Sequence, residues 1–222
     1  LRETLAARLA ADRGMIVAAD QILITPGAQA SLTLLALTLA ERGDRALIED
    51  PGYTGARNAF RGAGLVMEAL PVDGDGADLT GAADARLIYL TPANQYPLGK
   101  RMSLARREAV IAHARACDAM IIEDDYDSEF RYHGKPIPAM QGLDDGENVI
   151  YMGTFSKAIA PAIRASYMVL PKKLAKRYQQ IGQTFSCAVS RIDQKVLTLF
   201  LTEGHFERHL NRMRNIYKEK HD

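Results

Sequence analysis

The chain has 222 residues, 47% of them hydrophobic and 25% charged, with a formal net charge of +1. That is enough apolar material for one large domain with a substantial core, and the small charge supplies no global basic field to attract nucleic acid. No apolar run approaches the roughly 18 to 20 residues that span a bilayer, and the two cysteines, Cys117 and Cys187, form neither a CxxC pair nor a metal-type cluster, which fits a reducing, cytoplasmic setting.

Leu1, Leu5 and Leu9 recur at helical spacing, and Gly14 ends that helix. No methionine or signal peptide precedes it, and Lys218, Glu219, Lys220 and His221 supply no terminator for the last helix. The expectation is therefore a piece of a longer protein. Gln21 to Thr25 reads as a strand, followed by a helix from Ala28 to Arg42 that Gly43 ends. Ala46 to Glu49 is a second strand, Thr54 to Ala63 a helix, and Leu65 to Leu70 and Arg86 to Thr91 are strands. Leu104 to Ala116 is helical, Ala119 to Glu123 and Val149 to Gly153 are strands, and Arg164 to Leu170 is the last one. From Lys172 onward the pattern is helical, with a break around Ser186 to Ser190. Such alternation predicts an α/β fold with a mainly parallel sheet flanked by helices.

In sheets of this kind, ligands gather at the carboxyl ends of the strands. The residues there are Pro26–Gln29, Asp50–Tyr53, Pro92–Pro97, Asp124–Asp127 and Thr154–Lys157. Each is ambiguous alone. The run from Glu123 to Glu129 reads as a solvated acidic loop or as acids held for chemistry. The five histidines are scattered, with none at ligand spacing to a carboxylate, and no metal is predicted. Gly153-Thr154-Phe155-Ser156-Lys157 offers a phosphate ligand or a nucleophilic amine, without the spacing of a P-loop or a dinucleotide fingerprint. Arg164 stands alone in the apolar run from Ala158 to Val169, either buried against an anion or turned to solvent from an edge strand. Pro26-Gly27-Ala28-Gln29 runs a strand into a helix start, whose free N–H groups suit an anion. Tyr53 is a stacking platform or a turn tyrosine.

Read together, these segments resemble fold-type I pyridoxal-phosphate (PLP) enzymes of the aminotransferase family. They are most similar to the aminotransferase-like effector domains of MocR-type transcription regulators in the GntR group. The segments are Ile24-Thr25-Pro26-Gly27-Ala28-Gln29, Glu49-Asp50-Pro51-Gly52-Tyr53, the run from Thr91 to Gly99, the run from Ile121 to Phe130, Gly153 to Lys157, and Gly204-His205-Phe206-Glu207-Arg208-His209-Leu210. The acidic-tyrosine and Gly-His-Phe segments point to the regulator branch.

The resemblance implies a fold-type I large domain over residues 1–222, with an N-terminal winged-helix domain and a C-terminal small domain outside this chain. It implies that Lys157 holds pyridoxal 5'-phosphate as a Schiff base. Asp124 would face the pyridine nitrogen and keep it protonated. Tyr126 would donate to the ring's phenolic oxygen, and Tyr53 would stack on the ring. The phosphate would sit on Ala28 and Gln29, with Thr154, Ser156 and Arg164 closing the cup. Lys100 and Lys135 read as solvated, Asp73-Gly74-Asp75-Gly76 as a turn, His205 and His209 as structural or exposed, and the basic tail from Arg208 to Lys218 as a solvated helix face.

The sequence departs from the family in three places. Tyr96 stands where many aminotransferases have an asparagine. Alanines surround Arg164 where glycines and a leucine are expected. The arginine that grips a substrate carboxylate falls in the small domain, beyond these residues. Three functions share the same cofactor cradle: an amine-sensing, dimerising regulator domain, a free-standing aminotransferase acting on amino acids and 2-oxo acids, and a domain that binds the cofactor without exchange. The regulator reading leads, with an amine or amino acid as effector, a homodimer as assembly, no membrane contact, and no direct DNA contact from these residues.

Overall fold

Apolar runs too continuous to face water on either side build the centre of the chain into a sheet covered on both faces. A computed structural model describes residues 1–127, 129, 138–184 and 189–221, with the backbone alone for 182–184 and 217–221. Ser128, Phe130, Lys135, Cys187 and most of the expected helix break at Ser186 to Ser190 lie outside the described residues.

The strands are Ile22–Thr25 (β1), Arg45–Asp50 (β2), Val66–Asp73 (β3), Gly76–Ala77 (β4), Leu87–Leu90 (β5), Met120–Asp125 (β6), Val149–Thr154 (β7) and Ser166–Val169 (β8). The helices are Arg2–Arg13 (α1), Ala28–Leu39 (α2), Thr54–Gly62 (α3), Leu104–Ala116 (α4), Met140–Leu143 (α5), Lys172–Thr184 (α6), Arg191–Thr202 (α7) and His205–His221 (α8). The sheet order is β1-β8-β7-β6-β5-β2-β3-β4. Strands β3, β2, β5, β6 and β7 are parallel, while β8 runs antiparallel to both β7 and β1. The carboxyl ends of β1, β2, β5, β6 and β7 therefore share one edge.

Every residue of β5, β6 and β8 is buried, as strands with helices on both faces must be. Side chains alternate across the sheet. Ile48, Tyr89 and Ile122 pack with Leu32, Leu35 and Phe60 from α2 and α3, whereas Leu47, Ile88 and Ile121 pack with Val110 and Ala114 of α4. A third cluster joins Leu5 and Leu9 of α1 to Tyr151, Val169, Phe206 and Leu210. The expected α/β class with a mainly parallel sheet is the observed one.

Several details differ from the sequence reading. Helix α2 ends at Leu39, since Ala40 is extended, and Gly43, at φ 92, serves the following turn instead, donating to Gly64 O. The apolar run after Lys157 is not one strand. A 3-10 turn at Pro161–Ile163 comes first and β8 begins at Ser166. Asp73 to Gly76 is a turn as expected, with Asp73 Oδ1 accepting from Asp75 N at 2.8 Å, but it also pairs β4 with β3. The C-terminal pattern contains a second break, where Gly204 at φ 72 separates α7 from α8. Among the described residues no helix is long and apolar enough to cross a membrane.

Candidate functional site

A cavity of about 460 Å³ opens at the shared carboxyl edge of the strands, within the size range of small-molecule sites. Its walls come from five chain segments that are distant in sequence.

One end of the cavity is built for an anion. Thr25 ends β1, and Gly27, at φ 101, turns the chain directly into α2 with no side-chain cap. The first-turn N–H groups at Ala28 and Gln29 are thus left to an outside acceptor. Thr154 ends β7 across the cavity, where its Oγ1 accepts from Ser156 N at 3.1 Å and lies 3.0 Å from Ser166 Oγ. Arg164 also lines the cavity, at φ 43. It is exposed rather than buried, which corrects the buried-arginine alternative. The 3-10 turn halts the chain before β8, so the guanidinium never enters the sheet.

The base of the cavity is a buried acid. Asp124 is 5% exposed and accepts from the Tyr89 hydroxyl at 2.7 Å. Burial pushes its carboxyl up to about 6. The Tyr89 hydrogen bond opposes the shift, while Asp125 and Asp127 add to it. The charged neighbours that act on Asp124 are thus carboxylates, and a cationic group in the cavity would complement it. Asp125, one residue on, points to the opposite face, where Arg13 and Tyr151 bind it at 2.9 and 2.6 Å.

Aromatic rings form the sides. Gln29 Nε2 donates to Tyr53 OH at 3.1 Å, and an added Cβ on Gly55 would stand 2.0 Å from Gln29 Nε2 and 2.4 Å from the Tyr53 ring. Glycine at 55 is what lets these two side chains approach. Tyr96 stands edge-on to both Tyr53 and Tyr126, at 6.1 and 6.0 Å between centroids. Its loop is held from below by Glu49, which accepts from Thr91 N and Oγ1 at 3.0 and 2.6 Å; burial pushes that carboxyl up to about 7. Lys157 Nζ enters beside Tyr126, 3.0 Å from Asp127 Oδ2.

Ala28, Gln29, Tyr53, Asp124, Tyr126, Thr154, Ser156, Lys157 and Arg164 all line this one cavity. The donor set fits a phosphorylated, nitrogen-bearing ring: an uncapped helix start and a guanidinium for a dianion, a buried carboxylate for a ring cation, and an amine for an aldehyde. Tyr89 was missed from the sequence. Its signal is a tyrosine in an aliphatic strand, whose hydroxyl needs a partner once buried. Asn94 and Asp127 were not singled out either, since each stood in a segment with other polar residues. Among the described residues no group of three His, Cys, Asp or Glu could hold a metal ion. His209 Nε2 meets Ala158 O at 2.9 Å, tying α8 to the turn after Lys157.

The family model for aminotransferase class I and II matches residues 1–222. The chain is 41% identical, over 99% of its length and 45% of the relative's, to the "Probable rhizopine catabolism regulatory protein MocR" of Rhizobium meliloti. It is 34% identical, over 99% of its length and 48% of the relative's, to the HTH-type pyridoxine biosynthesis transcriptional regulator PdxR of Corynebacterium glutamicum. The chain thus spans about half the length of the curated relatives it matches. Among solved structures, the kynurenine aminotransferase of Pyrococcus horikoshii in complex with PMP superposes with a TM-score of 0.89 at 29% identity, over 98% of this chain and 56% of that one.

Proposed function

The chain belongs to the aminotransferase class I and II family, and from that premise we propose that it is the PLP-binding, effector-sensing and dimerisation domain of a MocR-type transcription regulator. Its cofactor is pyridoxal 5'-phosphate. When bound, this group supplies an aldehyde that combines with amines and a ring that draws electrons from them.

The observation that carries the reading is one cavity in which an amine, a buried carboxylate and an anion-binding helix start converge. Lys157 is the Schiff-base residue. Asp124, kept in place by Tyr89, holds the ring nitrogen protonated, and Tyr126 donates to the ring oxygen. Tyr53 covers the ring, while Ala28, Gln29, Thr154, Ser156 and Arg164 bind the phosphate. The signal is an amine or amino acid that displaces Lys157 from the cofactor. Such a ligand shifts a domain equilibrium only as far as it binds the two states differently. DNA contact lies with a winged-helix domain outside residues 1–222, the assembly is a homodimer, and its place is the cytoplasm. The regulators among the relatives support this reading.

Operator affinity of the full-length protein tests it. PLP, or a candidate amine added to the PLP-loaded protein, is expected to change that affinity, and identical affinity with and without them contradicts the reading. The fold similarity to kynurenine aminotransferase favours a second reading, a free-standing aminotransferase. Turnover of an amino donor with a 2-oxo acid, abolished by Lys157→Ala, would select it.

A further inference from the structure

Lys157 Nζ lies 3.0 Å from Asp127 Oδ2 and 4.7 Å from the centroid of the Tyr126 ring. Asn94 Nδ2 reaches the same carboxylate oxygen at 2.6 Å and the Tyr126 hydroxyl at 3.2 Å. A carboxylate and an aromatic face thus converge on one point, and a single carboxamide holds both. That arrangement receives an ammonium group: the ring quadrupole attracts a cation over its face, and the carboxylate accepts a charge-assisted N–H bond. The Asp127 side chain is 12% exposed, so the attraction is less screened than that of a surface pair. Here the ammonium in the site is the protein's own.

Once Lys157 is committed to the cofactor's aldehyde carbon, Nζ no longer has the three N–H donors of a free ammonium to offer Asp127. Asp127, Asn94 and Tyr126 keep one another in position and remain. We propose that Asp127 and the face of Tyr126 form a docking site for the ammonium group of the incoming amine, at the point that Lys157 Nζ occupies here. The proposal rests on the amine-exchange reading and deepens it. The ligand is recognised first as a primary ammonium, separately from any carboxylate it carries. The three aspartates at this strand end then have distinct partners: Asp124 faces the cavity floor, Asp125 is taken by Arg13 and Tyr151 on the other face, and Asp127 meets the cation.

Stopped-flow mixing of the PLP-loaded protein with ethylamine at constant ionic strength, followed by cofactor absorbance, tests the site. Asp127→Asn is expected to raise the half-saturating ethylamine concentration about tenfold, the scale of one lost charge-assisted hydrogen bond, with a much smaller change in the plateau rate. Asp127→Glu restores part of the loss. Trimethylammonium, which keeps one N–H donor but as a tertiary amine cannot condense with an aldehyde, competes with ethylamine in the unmodified protein and much more weakly in Asp127→Asn. Should the variants fail to load cofactor, the competition in the unmodified protein decides alone. An unchanged half-saturation in Asp127→Asn, or no competition by trimethylammonium, overturns the docking site and leaves amine exchange standing. If neither ethylamine nor a panel of amino acids exchanges at all, the exchange reading falls and the docking site falls with it.

Discussion

The Tyr89 hydroxyl donates to Asp124 Oδ2 at 2.7 Å at the floor of the cavity. This bond fixes one carboxylate oxygen and stabilises the ionised form, against a burial that pushes the carboxyl up to about 6. A protonated ring nitrogen would add the cation that its protein neighbours do not supply. Asp124→Asn is therefore expected to weaken PLP binding at least about tenfold near neutral pH, the loss of a hydrogen bond between charged groups. Tyr89→Phe should give a smaller loss, with absorbance titration of the cofactor as the measure. Equal affinity in Asp124→Asn and the unmodified protein would remove Asp124 from the ring nitrogen.

Glu49 and Glu123 are buried, and desolvation raises both carboxyls to about 7, while Asp124 rises to about 6. Each raised carboxyl binds its proton more tightly folded than unfolded, so its contribution to stability is fully present below the unfolded value and is lost as pH rises through the folded one. Without cofactor, the thermal midpoint should fall as pH rises from 4.5 to 7. Asp124→Asn should flatten the part of that fall between 3.8 and 6. A midpoint that climbs steadily across this window would contradict the dominance of burial over the partners of these acids.

Arg164 stands at the cavity's anion end, in the left-handed backbone region at φ 43. Arg164→Gln is expected to lower affinity for PLP by about 10- to 100-fold, the range of a hydrogen bond to a charged group, and to leave affinity for pyridoxal, which lacks the phosphate, nearly unchanged. Parallel titrations with the two compounds make the comparison. A similar loss for both would mean that Arg164 shapes the turn rather than binding phosphate.

Gly55 has room for no Cβ beside Gln29 and Tyr53. Gly55→Ala should displace both side chains and weaken cofactor binding while changing the thermal midpoint of the cofactor-free protein little, because both neighbours are side-chain ends that can swing into the cavity. A large drop in midpoint with intact affinity would show that Gly55 serves packing alone.

The β5 and β6 strands were legible because strands covered on both faces need unbroken apolar runs, and Leu87 to Leu90 and Met120 to Ile122 supply them. The cavity was legible for a topological reason. In a parallel sheet the residues after successive strands share an edge, so Gln29, Tyr53, Asp124 and Lys157 could be grouped before any distance was known. What a linear reading could not supply was partnership across strands. Tyr89 looks like a core tyrosine until β6 brings Asp124 beside it, and Asp127 looks like one more acid until Asn94 and Lys157 close on it. Arg164 differs in another way: its apolar flank left it either buried against an anion or turned to solvent from an edge strand, whereas Pro161 begins a 3-10 turn that keeps the arginine exposed and outside the sheet.

Every role proposed for the cavity depends on attachment of PLP to Lys157, which borohydride reduction of the PLP-loaded protein followed by peptide mapping reads out. A single pyridoxyl adduct is expected, on the peptide that contains Lys157. An adduct on Lys100 or Lys135 with Lys157 unmodified would contradict it.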